Sequence, residues 1–166
     1  KHKAKEEALT VIDIMMAGGA SAVFHGMGEE DVKRIMQYPF NMFASDASIR
    51  VLNAGMPHPR GYGTNARVLG KYVREEKVIS LEEAIRRMTS LPAQKFQLSD
   101  RGILKEGMAA DIVIFDEKEV KDMATFEKPH AFSKGFHYVI VNGVITAEKE
   151  KHLGVRAGKA LYHISQ

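Results

Sequence analysis

The chain has 166 residues, of which 45% are hydrophobic, enough to bury a substantial core in one domain or slightly more. Its 24 basic and 21 acidic residues give a net charge of +3, and mixed runs at 74–77 and 148–151 intersperse the two signs. A surface that tracks phosphates concentrates one sign, so we predict no nucleic-acid partner. No apolar run reaches the length of a transmembrane helix, so we predict no membrane partner either.

The cysteine content bears on the cellular compartment, and the first residues bear on whether the chain is part of a longer protein. The chain contains no cysteine, so it forms no disulfide and offers no thiolate to a metal. This is compatible with a reducing compartment and favours a cytoplasmic location, although many periplasmic or exported proteins also lack cysteine. The chain begins Lys-His-Lys instead of with Met and shows no signal-peptide pattern. We therefore expect a piece of a longer protein.

The first part of the chain alternates between helical and extended patterns. Apolar residues at three- and four-residue spacing predict a helix over 5–16 that ends at two glycines. Short apolar runs predict strands at 21–24 and 40–44, and the second is apolar throughout, as expected of a parallel strand buried on both faces. The helix between them begins with three acids at 29–31, which favour the positive end of its dipole. This order predicts a parallel α/β architecture, either a doubly wound sheet or a (β/α) barrel.

Further helices follow a loop rich in glycine and proline. A helical pattern resumes at about Thr64 and ends near Lys77. The next helix begins at Ser80, and the motif Ser80-Leu-Glu-Glu83 predicts a capping box in which each side chain satisfies a backbone amide of the other residue. A short helical turn is predicted at 92–96.

The pattern changes at about residue 99, where β-prone runs replace the alternation. A strand and turn are predicted at 102–107, and strands at 112–115, 137–141 and 144–146. The last two form the clearest hairpin, because Asn142-Gly143 supplies the positive φ angles of a tight two-residue turn. These strands are too few to enclose a core, so we expect them to pair with strands outside this chain.

The loop after the second predicted strand holds the residues suited to chemistry. Asp46 directly follows that strand, at its carboxyl end, where ligands bind in parallel α/β folds. His58 and Arg60 follow in a segment stiffened by Pro57 and Pro59. A carboxylate, an imidazole and a guanidinium in one loop predict a catalytic or ligand-binding site.

Each chemistry-bearing residue also has a structural interpretation. Asp46 would otherwise cap a turn, and Arg60 would otherwise brace the loop through an ion pair. His58 would otherwise be a structural loop residue. We interpret His25, at the end of a predicted strand, as structural, and Asp111 as the residue that opens a strand.

A series of motifs along the chain resembles one enzyme family. The motifs are Ser45-Asp46, His58-Pro59-Arg60, Tyr62-Gly63-Thr64, Arg67-Val68-Leu69-Gly70, Pro92-Ala93 and Gly107-Met108-Ala109-Ala110-Asp111. Together they are similar to the C-terminal portion of the N-acyl-D-amino-acid deacylases (D-aminoacylases) of the amidohydrolase superfamily. The Gly-Met-Ala-Ala-Asp motif is widespread in that superfamily, whereas His-Pro-Arg after Ser-Asp points to the deacylase branch.

The resemblance implies an α/β fold in which residues 1–98 are the C-terminal segment of a metal-dependent, TIM-type (β/α)8 barrel and residues 99–166 form a small β-sandwich-like unit. It implies that Asp46 is the general base and acid on a water activated by zinc, and that Asp46 could also contribute to binding the metal. Arg60 would bind the free carboxylate of a small N-acyl-D-amino acid substrate, and His58 would shape that binding site.

The chain also departs from the family pattern. The zinc ligands that the resemblance implies are an early His-x-His pair, a cysteine and histidines on middle strands, and this chain does not contain them. We therefore expect it to be inactive alone and to partner with the missing N-terminal part of the same protein. Two alternatives stay open: a dihydropyrimidinase- or dihydroorotase-like hydrolase of cyclic amides, and a noncatalytic module that docks on a partner chain. The upstream reading frame, searched for the missing ligands, would distinguish a zinc hydrolase of either kind from a noncatalytic module.

Overall fold

The structure, a computed structural model, describes residues 4–20, 23 and 26–162. The helices are α1 (Ala4–Met16), α2 (Glu29–Met36), α3 (Arg60–Arg67), α4 (Leu81–Met88) and α5 (Ser90–Lys95), and a π-helical segment (Val68–Glu75) continues α3. The strands are β1 (Ile112–Phe115), β2 (Phe136–Val141), β3 (Val144–Glu148) and β4 (Lys151–His152). In this part of the chain, no helix has the length and apolar character needed to cross a bilayer. The change from helices to strands after residue 99 is as predicted.

Helix α1 confirms the first helix prediction but not its buried face. The chain leaves the helix through Gly18 and Gly19, whose φ angles of +102° and +81° are readily accessible only to glycine. The apolar side of α1 is nevertheless on the surface, with Met15 71% and Met16 82% exposed. The periodicity thus predicts the helix, while no described residue covers its apolar side.

The strand predicted at 40–44 is not formed. The backbone N–H of Asn41 donates to the Tyr38 carbonyl at 3.2 Å, and the Asn41 side-chain amide donates to the Ile35 carbonyl at 3.2 Å. The chain therefore turns at the end of α2 instead of extending. A strand needs a neighbour to complete its hydrogen bonds, and none of the described strands lies beside this segment. Phe40 is 75% exposed, so the predicted burial on both faces is wrong as well.

The parallel sheet predicted from the alternation is also not seen among the described residues. The strand predicted at 21–24 lies outside them except for Val23, and so does His25. The described strands form one sheet in the order β1-β2-β3-β4, and every pair is antiparallel. Neither the barrel nor the sandwich-like unit is therefore visible as such in this part of the chain, and the boundary between residues 98 and 99 stays a prediction.

The sheet is organised by the predicted hairpin. Asn142 and Gly143 have φ angles of +49° and +81°, as the tight turn between β2 and β3 requires. Asp111 accepts a hydrogen bond from the Asn142 backbone N–H at 2.7 Å and pairs with Arg101, which confirms its structural role at the start of β1. Of the strand and turn predicted at 102–107, the strand is wrong and the turn is confirmed, because the described backbone turns there, with positive φ at both end glycines.

Helix α3 begins earlier than predicted, and the segment that continues it is π-helical. It starts at Arg60, because Pro59, with φ of −58°, already has the backbone angle of a helix entrance. The π-helical segment follows, and the Glu76 N–H donates to the Lys71 carbonyl at 2.8 Å, the wider spacing that defines a π-helix. The predicted single helix is thus confirmed as a continuous helical stretch with an unpredicted π-helical half.

The core joins the helices to the β unit. Its buried members are Met36, Ala66, Val68, Leu69, Tyr72, Ala84 and Val120. Val120, which follows β1, is 1% exposed, so the β unit contributes to the same core as the helices. A Cβ at Gly70 would lie 2.7 Å from the Val120 carbonyl oxygen, and Arg74 donates to that oxygen at 2.6 Å. Glycine at position 70 therefore permits this close approach.

Helix α4 carries an ion cluster that the sequence predicted only in part. Ser80 caps the helix as predicted, because its hydroxyl accepts from the Glu83 backbone N–H at 3.2 Å. The reciprocal half of the capping box is wrong: the Glu83 carboxylate accepts from Arg86 Nε and Arg87 Nε, each at 2.7 Å. Arg87 is 2% exposed and also donates to the Met36 carbonyl, so this buried cation is fully paired.

We expect the stability of the chain to fall in acid as Glu83 becomes protonated. Hydrogen bonds from Arg86 and Arg87 lower the pKa of Glu83 from its ordinary 4.5 to about 2. Because the folded-state pKa is the lower one, the stabilisation is complete above pH 4.5 and is lost as the pH falls towards 2. Urea unfolding at a series of pH values should show a flatter dependence for Glu83→Gln. Glu106→Gln, at an exposed position, should keep the slope, and equal slopes for all three proteins would contradict this assignment.

Candidate active site

The predicted site residues lie in a long irregular loop. Residues 44–56 are exposed and belong to no helix or strand, so hydrogen bonds and ion pairs decide how this loop is held. Asp46 and Asn53 have φ angles of +48° and +62°, in the left-handed region that short polar residues tolerate better than others. The loop is therefore built from local reversals, and one of them orients the Asp46 side chain.

The structure brings Asp46 and Arg60 into direct contact. Arg60 Nη2 lies 2.9 Å from Asp46 Oδ2, and the two side chains are 44% and 85% exposed. An ion pair this exposed contributes on the order of 0–1 kcal/mol to folding, because water and salt screen it. The pair braces the loop, as the structural interpretation of Arg60 predicted. Its small contribution to stability leaves both side chains available for a ligand.

His58 is anchored within the same loop. Its Nδ1 accepts a hydrogen bond from the Arg60 backbone N–H at 3.0 Å, and its ring meets the Phe126 ring edge-on at 5.1 Å. The side chain is half-buried and lies between Pro57 and the buried Pro59. These contacts give His58 a loop-shaping position next to Arg60, while a contact with substrate stays a prediction.

Two residues that the sequence did not single out as site residues also hold this loop. His130, on the segment between β1 and β2, contacts the Asn53 backbone at 3.2 Å and the Gly55 carbonyl at 2.9 Å. The Tyr62 hydroxyl lies 2.8 Å from His130 Nδ1. Tyr62 belongs to one of the motifs that carry the family resemblance, which could have pointed to it. No local pattern marks His130, which lies 77 positions from Asn53.

Helix α3, which begins with Arg60, is docked closely on the β unit. Gly63 faces Asp122, and a Cβ at that position would overlap the Asp122 carboxylate. Asp122 accepts from the Ala124 N–H at 2.9 Å and lies 3.6 Å from Arg67 Nη1. Close packing against Asp122 thus explains the glycine of the Tyr-Gly-Thr motif. This packing holds α3 against the segment that also holds the loop.

The described residues do not form a metal site. Within residues 4–20, 23 and 26–162, no three or more His, Cys, Asp or Glu side chains are grouped so that they could hold an ion. The Asp46 carboxylate is directed towards a guanidinium instead. This part of the chain therefore does not fit a resident zinc ion by itself, and the predicted contribution of Asp46 to metal binding has no second ligand here.

A cavity of about 1070 Å³ lies elsewhere, between α5 and the 159–162 segment. Asp100, Arg101 and Lys159 are among its lining residues. Neither Asp46 nor Arg60 lines it, so the candidate site is an exposed loop and this cavity is separate from it.

The family of the chain follows from comparison with known proteins. The family model described as "Amidohydrolase family" matches residues 6–147. This chain belongs to the amidohydrolase family. The resemblance inferred from the motifs is thereby confirmed, and it extends over both the helices and most of the sheet.

Deacylases of N-acyl-D-amino acids are among the amidohydrolases that this chain matches. The N-acyl-D-glutamate deacylase of Alcaligenes xylosoxydans xylosoxydans is 45% identical over 124 residues, which are 75% of this chain and 25% of that protein. The crystal structure of a D-aminoacylase superposes with a TM-score of 0.73 at 42% identity, covering 80% of this chain and 27% of that one. The N-acyl-D-glutamate deacylase of Bordetella bronchiseptica, complexed with zinc and a phosphonate inhibitor, gives a TM-score of 0.67 at 43% identity and covers 74% of this chain and 26% of that one.

Among these relatives, the Bordetella enzyme is seen with zinc. Our amidohydrolase chain spans about a quarter of the length of each relative described above. The remaining three quarters of such a protein can supply the ligand groups that the described residues lack.

Proposed function

We propose that this chain is the C-terminal part of a zinc-dependent hydrolase that cleaves N-acyl-D-amino acids to a carboxylate and a free D-amino acid. The observation that carries the proposal is the 2.9 Å contact between Arg60 and Asp46 inside the segment matched by the amidohydrolase family. Because a carboxylate can carry a proton and a guanidinium can bind a carboxylate, this contact supports assigning these two roles to Asp46 and Arg60. The deacylases among the relatives support the choice of substrate class.

The geometry of the substrate explains why these two groups should be neighbours. In an N-acyl amino acid, a single carbon atom separates the free carboxylate from the amide nitrogen. A group that binds the carboxylate must therefore lie within a few ångströms of a group that exchanges a proton at the amide. Arg60 and Asp46 meet this requirement, because their side chains touch.

In this proposal Asp46 is the general base and then the general acid. It accepts a proton from the water that attacks the amide carbonyl, and it delivers that proton to the departing amine nitrogen. Its side chain is 85% exposed in this chain, so a substrate can approach the carboxylate without displacing buried groups.

Arg60 would bind the substrate carboxylate without having to leave Asp46. A guanidinium carries five N–H donors in a planar fork, so it can contact two carboxylates along different edges. Asp46 occupies Nη2 in the structure. His58, bonded to the Arg60 backbone N–H, would shape the wall beside the bound carboxylate.

The zinc ion would be held by residues outside those described here, since the described residues contain no grouped ligand set. When bound, it would polarise the amide and the attacking water. We therefore propose that residues 1–98 complete a barrel supplied mostly by the rest of the protein, that 99–166 form its small β unit, and that this chain alone is inactive.

One observation favours a second candidate function. Because the described residues hold no metal-ligand group, the chain taken by itself also fits a noncatalytic module that docks on a partner. A hydrolase of cyclic amides is the other alternative within the family. Activity of the full-length protein on N-acetyl-D-amino acids, compared with dihydroorotate, distinguishes all three.

We expect Arg60→Lys to weaken substrate binding more than turnover. A lysine keeps the positive charge but replaces a two-pronged contact with a point charge, so KM should rise about tenfold while kcat changes less than about threefold. Steady-state kinetics of the full-length protein on N-acetyl-D-amino acids with added zinc measures both constants. The matched control is Arg34→Lys at an exposed position of α2, which should behave as wild type. An unchanged KM for Arg60→Lys would exclude the assigned role.

A further inference from the structure

The segment between β1 and β2 contacts the candidate loop through the imidazole of His130. His130 Nδ1 lies 3.2 Å from the Asn53 backbone nitrogen and 2.8 Å from the Tyr62 hydroxyl, and His130 Nε2 lies 2.9 Å from the Gly55 carbonyl oxygen. The ring thus bridges the middle of the exposed loop and the first turn of α3. We call these four residues the His130 clamp.

The partners of the clamp determine the protonation pattern of the ring. The Asn53 backbone N–H can only donate, so His130 Nδ1 must accept. The Gly55 carbonyl can only accept, so Nε2 must carry the proton and donate. The Tyr62 hydroxyl then also donates to Nδ1, and the two donors share its single lone pair. Both ring nitrogens are therefore used, Nδ1 as an acceptor and Nε2 as a donor.

The clamp holds a stretch that has little else to fix it. Residues 44–56 are exposed, and the hydrogen bond described within this stretch runs from the Ala54 N–H to the Val51 carbonyl at 3.2 Å. Asn53 has a φ of +62°, a conformation that persists only where the surroundings favour it. Without His130, the middle of the loop would have no described contact to the β unit.

The same segment of the β unit makes two more contacts with the site. Phe126 meets the His58 ring edge-on at 5.1 Å, and Ser133 Oγ donates to the Tyr62 carbonyl at 3.1 Å. The segment therefore touches the loop next to Arg60 and the helix that begins with Arg60. Because Asp46 lies before the middle of the loop and Arg60 follows the loop, holding the middle limits how far these two side chains can separate.

We propose that His130 is a positioning residue for the reaction. It touches no substrate, and it acts by holding the loop so that Arg60 meets the substrate carboxylate beside Asp46. The inference rests on the proposed function. It adds a residue from the β unit to a site that the sequence placed entirely in the preceding loop.

The first test compares two substrates on the full-length protein with added zinc. One is an N-acetyl-D-amino acid and the other is its C-terminal amide, which lacks the free carboxylate that Arg60 binds. For His130→Ala we expect KM of the acid to rise about tenfold, with KM of the amide unchanged. His130→Gln should recover part of the loss, because its side-chain NH₂ can still donate to the Gly55 carbonyl. His137→Ala, an exposed histidine on β2, is the matched control.

A second measurement tests the His130 clamp independently of the reaction. Hydrogen exchange of the full-length protein should show the Asn53 amide exchanging at least tenfold faster in His130→Ala and unchanged in His137→Ala. An equal rise in KM for acid and amide, or a wild-type KM in His130→Ala, would overturn the positioning role. If the wild-type protein hydrolysed neither substrate, the proposed function would fail and the positioning role with it, whereas the exchange of Asn53 would still decide whether the clamp exists.

Discussion

Asp46→Asn should lower kcat of the full-length protein on N-acetyl-D-amino acids by about a thousandfold while leaving KM within about threefold. Asparagine can still accept a hydrogen bond from Arg60 but cannot take and return a proton, and general acid–base catalysis contributes roughly 10²–10⁴-fold. The contact with Arg60, 2.9 Å in the wild type, is thus kept as a hydrogen bond, so the affinity for the substrate should be retained. Steady-state kinetics with added zinc gives both constants.

The exposure of Asp46 makes this test easy to interpret. Its side chain is 85% exposed and its ion pair is weak, so Asp46→Asn should change the free energy of unfolding by less than about 0.5 kcal/mol. A thermal unfolding curve that matches wild type would show that lost turnover is not lost folding. Asp13→Asn, at an exposed position of α1, should leave kcat unchanged. Near-normal turnover in Asp46→Asn would refute the general-base assignment.

The elements that the sequence predicted correctly are those whose causes are local. The periodicity of α1, the acids that open α2 and the Asn142-Gly143 turn each act through residues a few positions apart. Ser80 is likewise a local cap. These features do not depend on which distant segment packs against them, so the chain alone predicts them.

The wrong predictions share a dependence on distant partners. An apolar run such as 40–44 becomes a strand only beside another strand, and the described residues provide none. Glu83 could have bonded back to its own helix start, but Arg86 and the buried Arg87 offer charged donors, which bind a carboxylate more strongly.

The same distinction applies to the candidate site. The motifs predicted Asp46 and Arg60, but not that they touch, because that contact depends on how the loop between them folds. His130 could not be predicted, since its contacts lie 68 to 77 positions away and only the fold reveals them. The site can thus be predicted from sequence as a set of reactive groups, but not as a geometry.

The second large expected effect is on stability. It arises at Val120, the residue of the β unit that is buried in the core shared with the helices. Gly135 has a φ of +83°, and a Cβ there would lie 2.5 Å from the Val120 backbone nitrogen. Val120 has no space into which it can move, because it is 1% exposed in the shared core. Left-handed strain of about 1–2 kcal/mol adds to overpacking of about 1–3 kcal/mol, so Gly135→Ala should destabilise the chain by roughly 2–5 kcal/mol.

Gly143→Ala is the matched control for this prediction, because its φ of +81° is nearly the same while nothing lies within 4 Å of the added Cβ. It should therefore show the backbone strain alone, about 1–2 kcal/mol. The difference between the two variants in urea unfolding then measures the contact between Gly135 and Val120. Equal losses would mean that Val120 can move away from the added Cβ, which would contradict the overpacking assigned to this contact.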